Sequence, residues 1–136
     1  MSANLTALKN YLENRFIGFP ADFHQQQICV RYKNSEGLLF VIEAREGACG
    51  VSLCVITPLM LLNPRAREQF EQLKARLAST LTRGRLGELG VSVDQDDHVC
   101  AWANLGTDPV VFPNEAVEAF IEGALGLPVA FKKFLF

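Results

Sequence analysis

The best candidates for chemistry in this 136-residue chain are four polar residues at one turn: Asp94, Asp96, Asp97 and His98. Carboxylates beside an imidazole can move protons or ligate a cation. At a hairpin turn the same side chains accept local backbone hydrogen bonds or stand in water. The further ligands and fixed glycine of a calcium-binding loop are missing, so the solvated turn is the expected reading. His24 sits among Phe23, Gln25, Gln26 and Gln27 and is expected to be structural or exposed. Ser52 lies inside a strand-like run without a GxSxG elbow, and no Walker A or GxGxxG loop occurs. Cys29, Cys49, Cys54 and Cys100 have no CxxC or CxxH spacing, which leaves a zinc site with little support. They are expected to be reduced thiols that act as small buried hydrophobes. Trp102, between two alanines on a strand, suits core packing first and an interface anchor second. No catalytic residue, metal or cofactor is assigned, and the chain is expected not to be an enzyme.

The elements that would position these groups follow from periodicity. Leu5, Leu8, Leu12 and Phe16 recur at helical spacing, and Gly18 and Pro20 end that helix. Ile28, Val30 and Tyr32 alternate with polar residues as in a half-buried strand, followed by turn chemistry at 34–37. Further strands are expected over Leu38–Arg45 and Cys49–Ile56, making an antiparallel meander. The small face of the last strand, Gly50, Ser52 and Cys54, suggests close packing by something else. Asn63-Pro64 is a helix-start signal, and Ala66, Phe70, Leu73, Leu77 and Leu81 form the stripe of the longest amphipathic segment. Arg67 and Glu71, one turn apart, are placed to pair. A hairpin over 89–105 and a helix from Asn114 through Leu125 follow. The end, VAFKKFLF, is apolar enough that it is expected to dock on the body or a partner. The order αβββαββα implies one α+β domain, a twisted antiparallel sheet with three helices on one side.

Bulk properties exclude several partners. One domain is expected at this length, with no linker or repeat. With 13 basic and 15 acidic residues and no basic run, nothing resembles a nucleic-acid or acidic-membrane footprint. The longest apolar stretches, such as 51–62, are broken by Ser52, Thr57 and Pro58 and are too short to span a bilayer. No Sec-type signal is visible at the N-terminus, so a cytosolic protein is expected. Counted with its ten glycines, the apolar share exceeds the roughly 45–50% of ordinary domains, which points to apolar area facing a partner. The first helix and sheet offer Leu5, Leu8, Leu12, Phe16, Ile28, Val30, Leu38, Phe40 and Ile42 for a peptide groove, with strand edges available for β-augmentation.

The order of elements, the LCVITPL strand running through a proline into the central helix, and the hairpin VDQDDHVCAWANL together resemble the class I type III secretion chaperones, the Tir-chaperone or CesT-like family. The resemblance covers essentially the whole chain. The sequence departs from the family in a pI near 5.7, less acidic than many members, and in its apolar C-terminus. The resemblance implies a cytoplasmic bacterial homodimer that binds the N-terminal segment of a secreted effector in extended form, without ATP. It implies groove positions Leu5, Leu8, Leu12, Phe16, Ile28, Val30, Phe40 and Ile42, and dimer positions Phe70, Leu73, Leu77, Val91 and Trp102. The alternative is a binding module or anti-activator on the same fold. A small enzyme or metal protein using the acidic turn is the third reading.

Overall fold

The computed structural model describes residues 3–48, 50–60, 64–81, 88–106 and 114–135. Helix α1 (Ala3–Arg15) leads into β1 (Ala21–His24), β2 (Gln27–Lys33), β3 (Leu39–Gly47) and β4 (Gly50–Met60). Then come α2 (Pro64–Ala78), β5 (Leu89–Val93), β6 (His98–Gly106), α3 (Asn114–Leu125) and α4 (Leu127–Leu135). The six strands form one antiparallel sheet in the order β1-β2-β3-β4-β6-β5. This is the α+β class expected, with two more elements than the periodicity shows. No helix among the described residues is long and apolar enough to cross a membrane.

Strand β1 escapes the pattern because it is four residues long and only half-buried at its best position. It pairs with β2 through a two-residue loop, Gln25-Gln26, with both φ angles positive at 49° and 62°. That is the twist a tight hairpin needs, but the usual Asn-Gly signature is absent. Helix α4 was hidden by Gly126 and Pro128. Pro128 is the second residue of the helix, in the first turn, where the donor it lacks has no intrahelical partner.

One face of the sheet is the core. Ile28, Val30, Phe40, Ile42, Ala44, Leu53, Val55, Val91, Val99, Ala101 and Ala103 join the buried residues of all four helices in a single cluster. The register aligns them across the strands, as in Val30 opposite Ile42 opposite Val55 opposite Ala101 opposite Val91. Alternation along each strand then decides which residue meets the helices. The apolar C-terminus docks on the chain itself. Leu127 and Phe131 are fully buried, and the Phe131 ring stacks on Phe70 at 5.8 Å between centroids.

The opposite face carries the other register set. Its rows are Arg31, Val41, Ile56, Cys100 and Ser92, then Cys29, Glu43, Cys54, Trp102 and Gly90, then Gln27, Arg45, Ser52 and Asn104. None of these belongs to the buried core cluster, and most are half-buried or exposed.

Candidate functional site

The acidic turn is a structural device. Asp94 Oδ1 accepts the backbone N–H groups of Asp96 and His98, both at 2.9 Å, while the Asp94 amide donates to the His98 carbonyl. Asn34 does the same in the β2–β3 turn, accepting from Glu36 and Leu38 at 3.0 and 2.9 Å. The two loops share one geometry, with Gly37 at φ 85° in one and Asp97 at φ 64° in the same place in the other. A side-chain oxygen that accepts two amides closes the loop in both. Asp94, Asp96 and His98 do bring one potential ligand atom each within 4.8 Å of the others, but the Asp94 carboxylate is already committed to the turn. Asp97 pairs with Arg67 of α2. The pairing of Arg67 with Glu71 is thereby corrected: the guanidinium reaches the hairpin turn, which tertiary packing sets beneath the start of α2.

The eight groove positions also need correction. Leu5, Leu8, Leu12, Ile28, Val30, Phe40 and Ile42 are completely buried and Phe16 is 2% exposed. Helix α1 lies on the sheet and closes the space between them, so they are core, and only Phe16 borders a surface cleft. Of the five dimer positions, Phe70, Leu77 and Val91 are buried within the chain, Leu73 is partly buried against the core, and Trp102 is half-buried on the open face. His24 is exposed at the end of β1, and the Ser52 hydroxyl donates to the Arg45 carbonyl at 3.4 Å. Among the described residues neither has a partner arrangement for nucleophilic chemistry.

Among the described residues two surfaces stand out; the sequence pointed to parts of both, the strand edges for one and Trp102 with the small face of β4 for the other, but not to Ile17 or Phe23. The first is the corner between α1 and β1. Ile17 is 82% exposed and Phe23 42% exposed, and residues Glu13, Phe16, Ile17, Gly18, Phe19, Pro20 and Ala21 line a shallow cleft of about 470 Å³. Beside it, β1 is the last strand of the sheet, so its outer backbone edge has no strand partner among the described residues. An unpaired edge next to apolar side chains suits an added strand. The signal for it in the sequence was slight: an isolated Ile17 between Phe16 and Gly18, after the helical pattern has ended.

The second is the open sheet face around Trp102. A cleft of about 450 Å³ there is lined by Arg45, Ser52, Cys54, Glu88, Trp102 and Asn104 with the backbone-rich segment about Gly47 and Gly50. The Trp102 indole lies flat over Gly90, its register partner: a Cβ at residue 90 would come within 2.3 Å of Cζ2. Gly90 thus makes the bed for the ring. Next to it, the Cys54 and Cys100 thiols interact across β4 and β6. The hydrogen bond between them and partial burial push Cys54 up, while the same bond holds Cys100 below the usual thiol value. Cys29 lies on the same face one strand beyond Glu43, and Cys49 is outside the described residues.

A polar clasp ties α1 to α3 on the helical side. Arg15 pairs with Glu118 and Glu122, and the Tyr11 hydroxyl donates to Glu118. Burial together with that carboxylate pushes the Tyr11 phenol up. Burial works against ionising Glu118, but the hydrogen bonds from Tyr11 and Arg15 outweigh it and hold the carboxyl below the ordinary glutamate value.

The chain matches no family model, and comparison with curated proteins and with solved structures returns no match.

Proposed function

We propose that this chain is a homodimeric, cytoplasmic bacterial chaperone that holds the N-terminal segment of a type III secreted effector in extended form. The observation that carries the reading is the unpaired β1 edge flanked by exposed Ile17 and Phe23. An extended segment can complete the backbone hydrogen bonds of β1 and lay alternate apolar side chains on those two residues. A chain segment bound this way stays non-globular, and mass action alone keeps it from folding or aggregating. The homodimer rests on the other surface: the open sheet face, with Val41, Ile56 and Trp102 half-buried near its centre. That face also mixes Arg31 and Arg45 with Glu43, which lets a twofold pairing set unlike charges against each other.

Ile17→Asp and Phe23→Asp test the segment site. Both side chains are exposed, so each variant should fold as the wild type does and lose capture of the effector segment. Unchanged capture by a folded double variant refutes the edge site. Light scattering of wild type against Ile56→Asp tests the dimer, and a wild-type monomer at micromolar concentration refutes it. The second reading is an anti-activator on the same fold, for which the same edge would hold a regulatory protein. Co-purification from the native cell separates the two: an exported effector supports the first, a transcription-control protein the second.

A further inference from the structure

We propose that Cys54 and Cys100 form a two-thiolate site for a soft monovalent cation of the Cu(I) or Ag(I) class on the open face of the sheet. The site lies on the face assigned above to the dimer contact, so the ion and a second chain are alternative occupants of that face.

The geometry comes from the register. Cys54 lies opposite Trp102 and Cys100 opposite Ile56, so the two thiols are diagonal neighbours on one face of the adjoining strands β4 and β6. The Cys100 thiol donates to the His98 carbonyl at 3.8 Å. Diagonal positions in an antiparallel pair have Cα atoms about 7–8 Å apart. That exceeds the usual reach of a disulfide, whose Cα separation stays below about 6.8 Å. Two metal–thiolate bonds of about 2.3 Å each bridge such a gap instead. The spacing therefore favours an ion between the sulfurs over a bond joining them.

The surroundings select the ion. Two thiolates are soft ligands, and soft ligands prefer soft cations. The Glu43 carboxylate lies on β3 directly opposite Cys54, with Arg45 in the same cleft to balance it. Cys54 lines the cleft beside Trp102, which gives an ion a path from solvent, while Cys100 is only 7% exposed and shields the bound state. His98 and Asp94 stand at the hairpin end of the same face and are engaged with each other at 3.6 Å, so a third ligand is not needed to describe the site. On binding, each S–H gives its proton to solvent and two metal–sulfur bonds form. No electron is transferred.

The test uses reduced full-length protein and Ag(I), a redox-inert probe, with excess glutathione as a monothiol competitor. Native mass spectrometry should find one silver ion per chain that survives the competitor. Cys54→Ser and Cys100→Ser should each lose it, and Cys29→Ser and Cys49→Ser should each keep it. Loss of silver to glutathione in the wild type overturns the proposal, as does full retention in either Cys54→Ser or Cys100→Ser. Alkylation mapping of the wild type covers the case of a variant that does not fold. Silver should protect Cys54 and Cys100 together, and protection of Cys29 or Cys49 in their place overturns the site.

Discussion

Replacing Gly90 by alanine sets two effects of opposite sign against each other on one strand. Removing a glycine from a strand interior stabilises by about 0.5–1 kcal/mol, because the unfolded chain loses freedom. The new methyl, however, would sit 2.3 Å from Cζ2, 2.6 Å from Cε2 and 3.0 Å from Cη2 of Trp102, where no carbon can remain. Either the indole swings off the sheet or β5 moves away from β6, and forced overpacking of this kind costs about 1–3 kcal/mol. The clash should win. Gly90→Ala is expected to lower stability by about 1–2 kcal/mol, which is roughly 3–8 °C in Tm for a domain of this size. Trp102 is the only tryptophan, so urea unfolding followed by its emission reads the ring directly. The folded variant should emit further to the red than the wild type, since its ring has left the bed formed by Gly90. Pairing the change with Trp102→Val should recover most of the loss, giving a coupling energy of about 1 kcal/mol or more in the double-mutant cycle. A Gly90→Ala protein that is as stable as wild type, with unshifted emission, would refute the packing described for this face.

Replacing Gln25-Gln26 by Asn-Gly should stabilise by about 1–2 kcal/mol, because two glutamines are held at positive φ; an unchanged urea midpoint argues against that turn. Asp94→Ala should cost about 1–2 kcal/mol by orphaning two amides, whereas Asp94→Asn should be near neutral, since Asn34 does the same work in the other hairpin. Equal losses in both variants would instead favour a role for the carboxylate charge. Glu118 titrates below the ordinary 4.5 in the folded protein, so its contribution is complete above that value and is lost as the pH falls through the folded pKa. Glu118→Gln should therefore flatten the acid limb of stability against pH, and an unaltered limb would show that the clasp with Arg15 and Tyr11 is not linked to folding.

Periodicity was enough to place most elements, because the 3.6 and 2.0 repeats are properties of local backbone geometry and need no partner. Leu5, Leu8, Leu12 and Phe16 define α1, and Ile28 with Val30 defines β2, whatever lies against them. The Asx turns at Asn34 and Asp94 were equally legible, since their hydrogen bonds close within five residues. Periodicity says that a face is apolar and is silent on what covers it. That is why eight residues of the core were read as a groove, why Ile17 and Phe23 went unremarked, and why Trp102 was grouped with the buried Phe70, Leu77 and Val91.

The sequence by itself therefore determined the α+β class, the number and type of the long elements and the residues inside each apolar stripe. Tertiary structure alone decided which stripes close on each other. By setting β4 against β6 with β5 outside, the sheet order brought Cys54 beside Cys100, laid Trp102 over Gly90 and turned Arg67 to Asp97. Those contacts join residues far apart in the chain, and no local preference encodes them. They follow from four helices burying one apolar face of the sheet, and no helix among the described residues packs its core residues on the other face.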